Sequence, residues 1–303
     1  MSDYPIKINH YRNNEIDLTL WDETIISSVN ACIYPLSWYL NITCPGWEAL
    51  ITEDYRSVMP LPVSRRYFVP VIIQPALTWQ LGIFSKDIMD ESLSEQFLCA
   101  IPSYYGIKSC QFNKFNALPY SNTIKKRKNT TELELISSYD RIQNEYSDNA
   151  KSKIQSALRN RISIMQNISS HEFLQFIYRF DRFSSRPIKP TWLLFLRQIL
   201  SNVIRYRMGE IHGAYTRENN LCAVVFFIRF KGRQIIHSAA ADHEGINHGA
   251  LYLIIDQYIA ENTEKNLILS IDNPSAYNLV SAFKELGAKS YPFISLKKRF
   301  IFF

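Results

Sequence analysis

Two stretches of this chain run through the same order of elements at nearly constant spacing. In the first, Trp47–Ile51 reads as a strand, TEDY (52–55) as a turn, and Val58–Val63 as a strand interrupted by Pro60 and Pro62. Val71–Gln74 reads as a third strand. Leu93, Phe97, Leu98 and Ile101 then recur at helical spacing, and Ile107–Phe112 is a further strand. In the second, Ile211–Tyr215 is a strand and TREN (216–219) a turn. Leu221–Phe230 and Gln234–Ala241 form a hairpin around KGR, and Leu251, Ile254, Ile255, Tyr258 and Ile259 give an amphipathic helix before the strand Leu267–Ile271. The turns lie 164 residues apart (52 to 216) and the post-helix strands 160 (107 to 267). An equal offset across a β-β-β-α-β series predicts an internal structural repeat. The expected class is α/β, as two tandem units of mixed sheet flanked by helices.

Other segments fit around this repeat. Ala276, Leu279, Phe283 and Leu286 line one face of a helix stopped by Gly287, and Phe293–Leu296 and Arg299–Phe303 read as closing strands. Asp148 or Asn149 caps a helix running to about Asn160. Phe173, Phe176, Ile177 and Phe180 make another helical stripe, and Trp192–Arg207 a third, opened by Pro190 and Thr191. The polar stretch ALPYSNTIKKRKN (117–129) is the best boundary. The expected division is a first domain at 1–116, a basic linker and helical segment at 117–165, and a second domain at 166–303.

Composition removes several classes. The nine Gly among 303 residues include no G-x-G pair, which excludes the dinucleotide fingerprint, and the P-loop pattern is missing too. No G-x-S-x-G elbow exists. His243, Glu244 and His248 lack the i, i+4 zinc-helix spacing, so no metal site is expected. The five Cys are scattered without C-x-x-C, which reads as reduced core thiols of a cytoplasmic protein. No secretory h-region opens the sequence, and no apolar run approaches the ~20 residues of a membrane span.

The net charge of +6 is concentrated. Between Lys114 and Arg161 lie ten basic and five acidic residues. Two readings stay open: a solvated linker and helix face, or a patch for a polyanion such as RNA or a phosphorylated cofactor.

The second half resembles the GNAT acyltransferase fold: a hairpin, a loop, a helix, a strand, then a helix ending in Gly. The duplication around a charged helical segment is similar to FemABX-type aminoacyltransferases, which carry two GNAT-like domains. FKELGA (283–288) resembles the ending of that family's last helix, and SYDRIQNEYSDNAKSKIQSALRN (138–160) its basic entry to the second domain. The resemblance implies transfer of an acyl or aminoacyl group, from a CoA- or tRNA-linked donor, to a small-molecule or peptide amine.

It also implies a donor loop at ADHEGINHGA (241–250), where a helix N-terminus would hold an acyl-CoA pyrophosphate. In the family register Asp242, Gly245 and Asn247 take the key places. Ala241, Ile246, His248 and Gly249 complete the expected cofactor set. Asp242, His243 and Tyr277 are the catalytic candidates, since Phe283 stands where GNAT enzymes often place a Tyr. Asn273, Ser275, Trp38, Tyr39 and Gln80 are expected to line the substrate site. The first-half counterpart, FSKDIMDES (84–92), has no Gly and is expected to hold no cofactor. Two alternatives remain: a non-catalytic GNAT-like binding protein, and an RNA-binding module using 114–161.

Overall fold

A computed structural model describes residues 7–66, 69–118, 124–181 and 189–298. The chain divides into two compact units: Met1–Asn129 with Pro292–Phe303, and Thr130–Tyr291. The expected linker is therefore shared between them. Its residues from Thr130 on belong to the second unit, and the strand residues from Pro292 on belong to the first.

The first unit opens with β1 (Ile8–Tyr11), α1 (Leu18–Ser27) and α2 (Ser37–Thr43). Then come β2 (Glu48–Thr52), β3 (Ser57–Leu61), β4 (Val63–Arg66), β5 (Val69–Ile73) and β6 (Phe84–Ser85). The crossover helix α3 (Glu91–Ala100) leads to β7 (Gly106–Gln111). One sheet has the order β1-β2-β3-β6. β6 reaches only Ser57 and Val58, so Pro60 lies where β3 is an edge and its missing N–H costs no ladder bond. In the second set, β4 pairs with β5, β5 runs parallel to β7, and β7 pairs antiparallel with β14 (Lys289–Lys298) through residues 295–298. Leu50, Met59, Phe97, Ile107 and Phe112 share one buried cluster.

The second unit takes the end of β8 (Ile124–Glu134), then α4 (Tyr139–Asn144) and α5 (Asp148–Arg159). It then repeats the order of the first: β9 (Ser163–Gln166), α6 (Ser170–Asp181), α7 (Pro190–Arg205), β10 (Gly209–Tyr215), β11 (Leu221–Phe230) and β12 (Arg233–Ala241). α8 (His243–His248) and α9 (Ala250–Asn262) cross to β13 (Ile268–Ile271), and α10 (Tyr277–Glu285) follows. The sheet order is β8-β13-β12-β11-β10-β9. Every pair is antiparallel except β12 with β13. Each unit thus has a parallel strand pair joined by a helical crossover: β5 with β7 through α3 in the first, and β12 with β13 through α8 and α9 in the second.

α9 and α5 pack on one face of this sheet. Tyr258 stacks on Phe227 with 3.7 Å between ring centroids, and its hydroxyl donates to Gln234 Oε1 at 2.7 Å. Ala150, Ile154 and Ala157 of α5 join the same cluster. The α5 cap is Ser147, one residue before the expected Asp148, and its hydroxyl accepts the Ala150 N–H. α5 ends at Arg159, as its periodicity requires. Cys32, Cys110 and Cys222 are buried thiols, whereas Cys99 is exposed, contrary to a core role for all five.

Candidate active site

The parallel pair at the centre of the second unit opens partway along. β12 and β13 are in register only from Arg233 with Ile268 to Ile235 with Ser270. β12 runs on to Ala241, paired among the described residues with β11 alone. The run Ser238-Ala239-Ala240 is half-buried and carries only small side chains. His237, on the same strand, is enclosed; burial depresses its imidazole to about 4, so it is neutral at neutral pH.

The strand delivers Asp242. Its carboxylate accepts the Gly245 N–H at 2.8 Å as the cap of α8, and its own N–H donates to the Cys222 carbonyl. Asp242 lines a cleft of about 600 Å³ with Glu244, Glu172, Arg179, Tyr215 and the Asn219–Asn220 corner. That corner is the expected TREN turn, closed by Asn219 N–H donating to the Thr216 carbonyl. Tyr215 donates its hydroxyl to Glu172 at 3.1 Å. Burial first, then the hydrogen bond to Glu172 and its charge, push that phenol up to about 12. Glu172 is fixed in turn by the Ser169 hydroxyl at 3.0 Å. Three carboxylates therefore face one guanidinium, and the cleft suits a cation with hydrogen-bonding arms.

The other sequence candidates are scattered. Asn273 and Ser275 form a turn, the Asn273 side-chain oxygen accepting the Ser275 N–H at 2.9 Å. Tyr277 opens α10 with 77% exposure, and none of these three lines the cleft. Phe283 is fully buried in the core of its unit. Trp38, Tyr39 and Gln80 lie in the first unit. Tyr39 is buried with its hydroxyl on the Leu77 carbonyl, Gln80 is buried, and Trp38 packs edge-on against Tyr39. Glu172 and Tyr215 were not singled out from sequence. The S-x-x-E of Ser169–Glu172 was the available signal, and it reads first as a helix cap.

Among solved structures, FemX superposes with a TM-score of 0.61 at 11% identity, over 95% of this chain and 97% of FemX. The chain has a duplicated, FemX-like GNAT fold. A conserved Bacteroides thetaiotaomicron protein of unknown function gives 0.58 at 9% identity, covering 97% of this chain and all of that one. A C-terminal domain from Agrobacterium fabrum, named for lysylphosphatidylglycerol synthetase, gives 0.55 at 10% identity, over 94% and 92% of the two chains. No protein-family model matches the sequence, and no curated relative matches it either.

A GNAT fold implies an acyl-CoA at the start of the crossover helix, and the residues here do not fit one. The expected loop is itself a short helix, α8, broken from α9 by Gly249 in the left-handed conformation. A Cβ on Gly245 would run into the Cys222 carbonyl, and one on Gly249 would stand 2.6 Å from the Lys153 main-chain oxygen. Both glycines therefore serve close packing inside the protein. Asp242 takes the Gly245 N–H that a phosphate would need, and Asp242 and Glu244 repel the anion. His243, Glu244, Ile246 and Asn247 are exposed on α8, with Ala241 buried at the strand end and His248 half-buried. Among the described residues no helix is long and apolar enough to cross a membrane, and no group of three His, Cys, Asp or Glu is placed to hold a metal.

Proposed function

We propose that this protein transfers an aminoacyl group from a carrier-linked ester, of the aminoacyl-tRNA type, to an amine acceptor. The observation that carries this is the open edge of β12 running directly into Asp242. The aminoacyl donor lies along Ser238–Ala241 as an added strand, and strand N–H groups polarise its carbonyl. The acceptor enters as an ammonium ion held by the acidic cleft. Asp242 takes its proton, and the amine nitrogen attacks the ester carbon. Collapse of the tetrahedral intermediate forms the amide and breaks the ester C–O bond; the second proton of the nitrogen goes to the departing carrier oxygen, and Asp242 releases the first to water. The lysyl group in the name of one fold neighbour supports an aminoacyl donor. The basic residues of 114–161 suit the carrier's phosphates.

The test uses a pool of tRNA carrying labelled amino acids, with diamines and short Lys peptides as acceptors. Protein-dependent movement of label to the amine is expected, slowed at least tenfold in Asp242→Asn. Acyl-CoAs are expected to give neither turnover nor a thermal shift. Absence of transfer from every charged tRNA would overturn the proposal and leave a binding role.

A further inference from the structure

The outer face of α6 and α7 has a composition that water alone does not explain. α7 buries Leu196, Ile199, Leu200 and Val203, an i, i+3, i+4, i+7 stripe toward the sheet. Outside that stripe it still carries Leu194 at 52% and Ile204 at 38% exposure. Tyr178 of α6, together with Trp192 and Tyr206 at the two ends of α7, adds exposed rings. Between the helices runs a groove of about 970 Å³, lined by Leu174, Tyr178, Leu194 and Ile204, with Arg197 and Arg205 beside them. The sixteen residues of α7 include no acid, no carboxylate lines the groove among the described residues, and Lys189 and Arg207 extend the positive charge past both helix ends.

We propose that this face docks on an anionic phospholipid surface. Exposed aliphatic side chains beside amphipathic rings, rimmed by guanidinium groups, match the boundary between headgroups and acyl chains. The rings sit at headgroup depth, the leucine and isoleucine enter the acyl boundary, and the arginines meet lipid phosphates. RNA would satisfy the arginines and leave Leu194 and Ile204 facing water. An apolar peptide would satisfy the leucines and leave the arginines unpaired. Among the described residues Gln175 alone lines both the groove and the acidic cleft, and none of the residues varied below does, so loss of docking and loss of transfer are separable.

The experiment is co-sedimentation of the full chain with vesicles of phosphatidylglycerol and phosphatidylcholine, against phosphatidylcholine alone, at low salt. Binding at least tenfold tighter to the anionic vesicles is expected. The double variant Arg197→Glu/Arg205→Glu should weaken it tenfold or more, and Leu194→Ser/Ile204→Ser should weaken it at every salt concentration. Lys265→Glu, at an exposed lysine beyond the end of α9, should leave it unchanged. Circular dichroism confirms that each variant is folded. No binding to anionic vesicles, or binding that neither double variant weakens, would overturn the proposal. So would binding to RNA in place of vesicles that disappears in the arginine variant.

Discussion

An ideal Cβ on Gly249 would stand 2.6 Å from the main-chain oxygen of Lys153, so the start of α9 is pressed onto the backbone of α5. Gly249 also has φ +79°, and Gly46 offers a control at φ +76° with nothing within 4 Å. Gly46→Ala should cost only the conformational strain, about 1–2 kcal/mol. Gly249→Ala should cost about 2–5 kcal/mol, because a backbone clash adds to the same strain. Urea unfolding of the two variants side by side checks this. Equal losses would mean that α5 yields freely.

His237 makes stability depend on pH. Its folded value of about 4 lies below the ordinary 6.5, so on acidification the unfolded chain takes up the proton first. The contribution is full above pH 6.5 and is lost as pH falls toward 4. By pH 5 the loss from this group should be about 2 kcal/mol. A His237→Gln variant should show a shallower fall between pH 7.5 and 5 in urea midpoints. An unchanged slope would mean that the ring is hydrated in solution.

The cap at Asp242 separates folding from chemistry. Asn caps helices as well as Asp, so Asp242→Asn should change stability by less than about 0.5 kcal/mol, while Asp242→Ala should cost about 1 kcal/mol. Both remove the negative charge from the cleft and should weaken binding of a diamine, read by titration calorimetry. Undiminished diamine affinity in both would remove Asp242 from the acceptor site.

Arg233 sits between Glu132 at 2.8 Å and Asp272 at 3.8 Å, and Asp272 accepts the Thr130 hydroxyl at 2.8 Å. Both carboxylates are almost fully buried. Glu132→Leu alone should cost about 3–5 kcal/mol, because it strands part of a buried charge network. Adding Arg233→Met should recover part of the loss, and a double-mutant cycle measures the coupling. Strictly additive losses would contradict it.

Where tertiary context agreed with local pattern, the fold could be read from the sequence. β11 matches its expected bounds because Leu221–Phe230 is an unbroken apolar run, and α6 and α7 follow their stripes. β8 was invisible: IKKRKNTTELE has neither alternation nor apolar density, and it becomes a strand through pairing with β13. The expected loop at 241–250 is largely the helix α8, set off from α9 by Gly249, because side-chain periodicity does not reveal a left-handed residue. Asp242 stands out in the sequence through the register of the resemblance, and its role as the cap of α8 appears only in the structure. Glu172 and Tyr215 reach the same cleft from other elements, and nothing local announces that convergence. Tyr277 was judged by spacing alone, and the helix start turned it to solvent.

β14 has a consequence for synthesis. β7 ends at Gln111, yet its antiparallel partner begins only at Lys289. At about 5–20 residues per second, a ribosome takes roughly ten to forty seconds to make the chain between them. Throughout that interval the nascent first unit lacks a strand and exposes the β7 edge to any extended segment nearby. A premature stop shortly before Lys289 would therefore harm the half of the protein made first.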